Sequence, residues 1–247
     1  MDRLIYIAMT GAKHTMEQQA VVSNNLANLS TTGFKAEMAA FRAVRTVGAG
    51  LPTRTYVVDN TLGADFSPGP VLETGRKLDV AVKGAGWLAV QGPDGREAYT
   101  REGALQITSN GLLQTRSGFS VVGQSGPISV PPNNVISIGE DGTVSAVPTD
   151  TIPNSVSIVG RLKLTNPPPA ELERGADGLF RRKNGQPAPP DDTVQLESGA
   201  LEGSNVSPVQ MLVEMISQSR QFETQMQLLQ RAQDDDRGWT NIMNLTA

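Results

Sequence analysis

The side chains that could do covalent or metal chemistry are few and poorly grouped. The chain has no Cys, which removes thiolate nucleophiles, disulfides and Cys-ligated metals. Its single His, His14, sits in a helical run of small residues. One His makes neither a metal triad nor a Ser-His-Asp set without partners elsewhere, so it reads as solvated or interfacial. Gly84-Ala85-Gly86 invites comparison with a nucleotide-binding loop. It leads into a β run, Trp87 to Gln91, and lacks the third Gly and following helix that such a loop needs. It reads as a tight β turn. Asp234-Asp235-Asp236 would hold a cation only if the carboxylates converged, and consecutive helical residues point in different directions. Asp191-Asp192 lies in a Pro-rich linker, a poor frame for glycosidase carboxylates. Arg181-Arg182-Lys183 precedes Asn184-Gly185 and reads as an exposed hairpin tip, with peptidoglycan or a protein partner as its functional alternative. No catalytic residue, cofactor or metal is expected.

The bulk properties narrow the field further. A charged fraction of 19% and a formal net charge of −4 argue against a nucleic-acid surface, which needs clustered Lys and Arg. No apolar run approaches the ~20 residues that span a bilayer, so no membrane insertion is expected. Met1 to Ala8 has neither a cationic leader nor a sustained apolar core, and Lys13, His14 and Glu17 follow soon after. This is not a cleavable secretory signal. Exit from the cytosol would need another route.

Three zones must position whatever the chain does. From Met1 to about Leu29 there is no Pro. Steps of four and three give Met1, Ile5, Ala8, Ala12, Thr15, Gln19, Val22, Leu26 and Leu29, a heptad-like stripe of mostly small residues. Such a face lets helices approach closely but buries little apolar area, so this helix is marginal alone. From about Val206 to Leu245 a second stripe runs through Leu212, Met215, Ser219, Phe222, Met226, Leu229 and Gln233. Ser207 suits the N-cap and Pro208 the first helical position. About 38 residues make a helix of ~57 Å, too long for one small globule and suited to a coiled coil. Between the helices, apolar runs alternate with turn dipeptides such as Asp94-Gly95, Asn110-Gly111 and Asp141-Gly142. Strands are expected at Leu78–Val82, Trp87–Gln91, Glu97–Thr100, Leu105–Thr108 and Leu112–Thr115. The fold class is α+β: a discontinuous helical domain of residues 1–33 and 204–247, an extended or β connector at 34–76, and an antiparallel β-rich outer domain at 77–203.

The exit from the first helix has its own chemistry. Asn25, Asn28 and Ser30 to Thr32 suit caps and turns better than helix interiors. Gly33 allows positive φ past a helix end, and Phe34 offers an apolar anchor. The amides of Asn24, Asn25 and Asn28 could bond backbone groups of neighbouring subunits; an ordinary cap is the plainer alternative.

Several stretches resemble one family. Ser23-Asn24-Asn25-Leu26-Ala27-Asn28-Leu29-Ser30-Thr31-Thr32-Gly33-Phe34-Lys35 is similar to the N-terminal motif of flagellar rod and hook proteins. Leu201-Glu202-Gly203-Ser204-Asn205-Val206-Ser207-Pro208 resembles that family's entry into its C-terminal helix. Leu78 to Trp87 and Tyr99-Thr100-Arg101-Glu102-Gly103 resemble its central elements, with Trp87 where Phe is commoner. The chain is therefore identified as similar, over nearly its whole length, to the flagellar basal-body rod proteins. Leu164 to Phe180 favours the proximal-rod branch. The resemblance implies a non-enzymatic structural subunit in the periplasmic rod of the basal body, without cofactor. It implies partnership with copies of itself, with other rod proteins and with the flagellar type III export apparatus, with peptidoglycan nearby. It also implies an assembly interface at Asn24, Asn25, Leu26, Asn28, Gly33 and Phe34, with Ile5, Ala8 and Val22 on the first helix. Leu212, Met215, Phe222, Met226 and Leu229 would extend it on the second. A distal-rod or hook-type subunit is the near alternative. A secreted β-rich wall-acting enzyme is the alternative from another class.

Overall fold

The computed structural model describes residues 2–45, 55–132, 134–148 and 156–245. The chain forms two compact units. One comprises Met1–Ala27, Glu37–Ala64 and Val206–Ala247; the other comprises Asn28–Ala36 and Asp65–Asn205.

The first unit is helical with one hairpin. Helix α1 spans Asp2–Ala27 and α2 spans Pro208–Leu245. At 38 residues α2 is ~57 Å long. Its start follows from local chemistry. Pro208 opens the helix where its missing N–H costs nothing. Ser207 Oγ accepts from the Gln210 N–H at 3.5 Å, and Ser207 O accepts the Met211 N–H at 3.1 Å. The two helices pack on each other. Neither is amphipathic enough to be stable alone, so pairing supplies the burial that each lacks. The segment expected as a connector contains an antiparallel hairpin, Glu37–Arg45 against Thr55–Ala64, with a bulge between Met38 and Ala40. This hairpin packs on α1.

The second unit is antiparallel β throughout. Its main sheet runs Leu172–Arg174, Phe180–Arg182, Glu97–Thr100, Trp87–Gln91, Ser120–Gly123, Leu113–Thr115, Leu105–Ile107. A three-stranded sheet of Asn134–Ile138, Thr143–Pro148 and Ser157–Arg161 stands beside it. Two short ladders join distant parts of the chain: Gln195–Ser198 on Val80–Lys83, and Ala200–Glu202 on Val71–Glu73. The strand at Trp87–Gln91 is apolar and buried at four successive positions, which is how a strand covered on both faces reads. Leu88, Val90, Leu105, Leu113, Val121 and Leu196 form the centre of the core. Each contributes ~1.5–3 kcal/mol through burial.

Arg181 and Arg182 depart from the expectation of an exposed tip. Arg181 pairs with Asp177 at 2.6 Å and Arg182 with Glu171 at 2.7 Å, both guanidinia mostly covered. The turn at Asn184-Gly185 forms as expected, but the strand before it draws both arginines against carboxylates on its neighbours.

Candidate functional site

In the helical unit the site is the face where α1 and α2 meet. Ala8, Ala12, Thr15 and Val22 of α1 are buried, and Ile5 and Leu26 are half-buried. On α2, Met211 and Ala232 are buried, and Met215, Phe222 and Leu229 are half-buried. Gly11 faces the Gln225 amide so closely that a Cβ there would lie 2.5 Å from Oε1. With those two residues opposed, the helices must be antiparallel. Met211 precedes Gln225 by more residues than precede Gly11, so a parallel pair would leave Met211 beyond the start of α1.

The α1 stripe lies where the periodicity put it. The α2 face runs through Met211, Met215, Gln218, Phe222, Gln225, Leu229 and Ala232. It coincides with the expected stripe at Met215, Phe222 and Leu229. It is shifted by one residue at Leu212, Ser219, Met226 and Gln233, all exposed, Leu212 at 49% and Met226 at 38%. The reason is chemical. The inner face mixes Gln218 and Gln225 with its apolar residues, while the outer one carries Leu212 and Met226 beside them, so hydropathy alone selects the wrong neighbour.

At the end of α1 the motif residues turn inward. Asn25 is buried and bonds the backbone of Glu37 in both directions: its Nδ2 donates to Glu37 O at 2.9 Å, and its Oδ1 accepts the Glu37 N–H at 2.8 Å. The side-chain amide thus mimics a strand neighbour for the first residue of the hairpin. Asn24 is exposed and Leu26 half-buried. Asn28 closes a turn, its backbone carbonyl accepting the Thr31 N–H at 3.2 Å and its Oδ1 accepting the Thr31 hydroxyl at 3.1 Å.

In the β unit, Gly33 has φ +69° and donates its N–H to Glu202 O at 2.8 Å. A Cβ at Gly33 would lie 2.2 Å from the Arg101 carbonyl carbon, so both conformation and space require glycine. Phe34 is buried beneath the Arg174 guanidinium, whose Cζ lies 4.5 Å from the ring centre.

Next to Gly33 lies a closed ionic cluster. Glu202 Oε1 accepts from Lys35 Nζ at 2.6 Å and from the Gly69 N–H at 3.0 Å. Glu202 Oε2 accepts from Arg101 Nη1 at 2.8 Å. Lys35 Nζ also donates to Ser67 O at 2.8 Å, and Arg101 Nη2 to Gly84 O at 2.7 Å. All three charged side chains are buried. Burial alone would raise the Glu202 carboxyl, but the Lys35 hydrogen bond, the Gly69 N–H and the Arg101 charge outweigh it and hold it below its ordinary range. Trp87, Phe66 and Phe180 pack alongside with ring centres 4.8 to 5.7 Å apart, Phe66 edge-on to Trp87 and the other two pairs tilted. Arg101 Cζ lies 5.4 Å from the Trp87 ring centre. Asn205 completes the junction. Its Oδ1 accepts the Ala36 N–H at 2.7 Å, its Nδ2 donates to Asp65 O at 2.9 Å, and its own N–H donates to Phe34 O at 3.3 Å.

The sequence reading had not singled out Lys35, Arg101, Glu202 or Asn205. All four stand inside the stretches that carried the resemblance. A charge inside an otherwise turn-forming or apolar motif was the signal available.

What this arrangement does is hold chain segments together. Among the described residues no group of three His, Asp or Glu is placed to hold a metal, and no helix is long and apolar enough to cross a membrane. His14 bonds Glu17 at 2.9 Å. A cleft of ~340 Å³ is lined by Pro167, Pro168, Pro189, Pro190 and the Asp191-Asp192 pair. Asp191 accepts from the Thr193 N–H and hydroxyl, and Asp192 pairs with Arg161 at 2.8 Å.

Paired terminal helices, an inserted antiparallel β unit and the end motifs locked around Glu202 define an axial flagellar subunit. The chain belongs to the flagellar basal-body rod protein family, a structural and non-enzymatic one. Three family models match it: "Flagella basal body rod protein" over residues 5–35, "Flagellar hook protein FlgE/F/G D1 domain" over 81–146, and "Flagellar basal body rod FlgEFG protein C-terminal" over 197–238. It is 46% identical to flagellar basal-body rod protein FlgF of Escherichia coli and 45% identical to FlgF of Salmonella typhimurium, over 98% of each chain. It is 33% identical to flagellar basal-body rod protein FlgG of Buchnera aphidicola, over 89% of this chain and 91% of that one.

Proposed function

We propose that this chain is a subunit of the flagellar basal-body rod, of the proximal FlgF type, and that it polymerises through its terminal helices into a tube that carries torque across the periplasm. The two FlgF relatives that match over 98% of each chain do so at 46% and 45%, above the 33% of the FlgG relative, which favours this branch, although more distant FlgF proteins match at 28–32%.

The observation that carries the mechanism is the apolar surface left exposed on each helix of the pair. Tyr6, Met9 and Met16 on α1, and Val209, Leu212, Val213 and Ile216 on α2, are 49–71% exposed. Apolar side chains at helical spacing, facing outward, mark a surface that a further partner covers. Copies of the same chain and other rod proteins are the partners that fit. Heterologous contacts repeated by a non-closing rotation give a helical tube. The motif residues Gly33 and Phe34 act within the subunit in this reading, and Leu212 and Met226 act between subunits. Export through the flagellar type III channel fits a pair whose α1 face is mostly small and whose α2 face carries two glutamines, because such a pair buries modest apolar area and opens at modest cost.

The test is Leu212→Asp with Ile216→Asp in a motile strain lacking its own copy. A folded, exported variant with no rod beyond its level and no swimming supports the proposal. Intact basal bodies with normal swimming overturn it.

A further inference from the structure

We infer that Gln225 fixes the register of the two terminal helices by seating its amide over Gly11, and that this polar contact is kept for alignment at the expense of packing strength. The register contact stands on the helical unit itself; its use in assembly rests on the rod reading.

The inner face of α1 is nearly featureless. Between the half-buried Ile5 and Leu26 near its ends, Ala8, Ala12, Thr15 and Val22 offer small knobs, and over such a stretch a helix can slide past its partner by a turn with little loss of contact. An apolar seam of this kind specifies pairing but not alignment. One position breaks the uniformity. Gly11 leaves a gap in the row of Cβ atoms, and the Gln225 amide fills it: Oε1, Nε2 and Cδ all fall within 2.8 Å of where a Cβ would stand. A slip of one turn, ~5.4 Å, carries Gln225 towards Ala8 or towards Thr15. Both have the Cβ that Gly11 lacks, so the amide loses its seat.

A second polar side chain argues that this face is not built for strength. Gln218 Oε1 is buried without a hydrogen-bond partner, one heptad before Gln225 on the same face. A buried unpaired carbonyl weakens a helix interface. Leucine at either position would bury more apolar area, but it would pack equally well against any of the small residues of α1. This is the trade by which a buried polar residue at a seam position sets register and costs stability. Gln225 is thus a positioning residue for assembly, since neighbouring subunits must meet the outer faces of both helices at a fixed stagger.

The chain contains no Cys, so introduced thiols are the only ones to label. Lys13 and Glu223 are exposed on α1 and α2. Nitroxides placed there, as Lys13→Cys with Glu223→Cys in the full chain, report the stagger through their dipolar distance. The expected result is one narrow distance in the parent and, in Gln225→Leu, a broadened or two-component distribution reflecting slips of about one turn (~5.4 Å). The Gln225→Leu chain should retain its helical circular dichroism and melt at a higher temperature. Gln227→Leu, an exposed change of the same chemistry, should leave the distance alone. Gly11→Leu, which fills the seat from the other side, should reproduce the loss of register. A broad distribution already present in the parent overturns the inference. So does a narrow one unchanged in both Gln225→Leu and Gly11→Leu.

Discussion

Lys35 and Glu202 stand 167 residues apart in the chain, yet Lys35 Nζ lies 2.6 Å from Glu202 Oε1 with both side chains buried. This contact joins the motif after the first helix to the motif before the second. It does so inside the β unit, where backbone carbonyls of Ser67, Val82 and Gly84 accept further hydrogen bonds from Lys35 and Arg101.

Replacing Glu202 by Gln should destabilise the β unit by ~3–5 kcal/mol, because it leaves the Lys35 and Arg101 charges buried with no counter-ion. Chemical denaturation read by Trp fluorescence checks this, since Trp87 lies against Arg101. A loss below ~1 kcal/mol would mean that water reaches the cluster.

The acid limb of stability should depend on the same carboxyl. Glu202 titrates below its ordinary range in the folded chain. Its contribution is therefore complete above the unfolded carboxyl value, ~4.3, and is lost as pH falls through the lower folded value. The slope of stability against pH below ~4 should be shallower in Glu202→Gln than in the parent.

The alkaline limb should depend on Tyr99. Its hydroxyl is buried, donates to Glu97 Oε1 at 2.9 Å and accepts the Ala188 N–H at 2.6 Å. Burial pushes it up to about 12. A raised value means stability present below the unfolded ~10 and lost as pH rises towards 12, in all ~2–3 kcal/mol. Tyr99→Phe should remove this loss above pH ~10. At neutral pH it should cost ~1–3 kcal/mol, because the Ala188 N–H loses its acceptor.

Gly33 and Gly95 separate conformation from space. Both have positive φ, +69° and +76°. A Cβ at Gly95 meets nothing within 4 Å, whereas one at Gly33 meets the Arg101 backbone at 2.2 Å. Gly95→Ala should cost ~1–2 kcal/mol, the left-handed penalty alone. Gly33→Ala should cost clearly more, since the backbone itself must move. Paired thermal melts of the two variants check the difference.

Asn25→Ala should cost ~1–3 kcal/mol by leaving the Glu37 N–H and C=O without their partner. Asn25→Asp keeps the acceptor but sets a buried carboxylate against the Glu37 carbonyl oxygen, so at neutral pH it should cost at least as much as Asn25→Ala. Hydrogen exchange at the Glu37 amide reads the effect at the bond itself.

Much of the architecture was legible because it is written in local pattern. The strand at Trp87–Gln91, the helix start at Pro208 and the small-residue face of α1 each follow from neighbours along the chain. The α2 face was read one residue out at Leu212 and Met226, because that helix mixes glutamine into its inner side and carries apolar residues on its outer side. Period alone does not say which of two stripes meets a partner inside the same molecule.

The sequence by itself determined the element types, the N-cap at Ser207 and the family. Those depend on residues a few positions apart. Only the tertiary structure decided what Lys35, Arg101, Glu202 and Asn205 do. Charged and amide side chains read locally as solvated, and they become buried and paired only when segments more than a hundred residues apart close around them. The direct gain from each pair is small. What makes the cluster stable is that both Glu202 oxygens, Lys35 Nζ and Arg101 Nη1 and Nη2 find their partners only in the folded whole, with Arg101 Nε a buried donor left over.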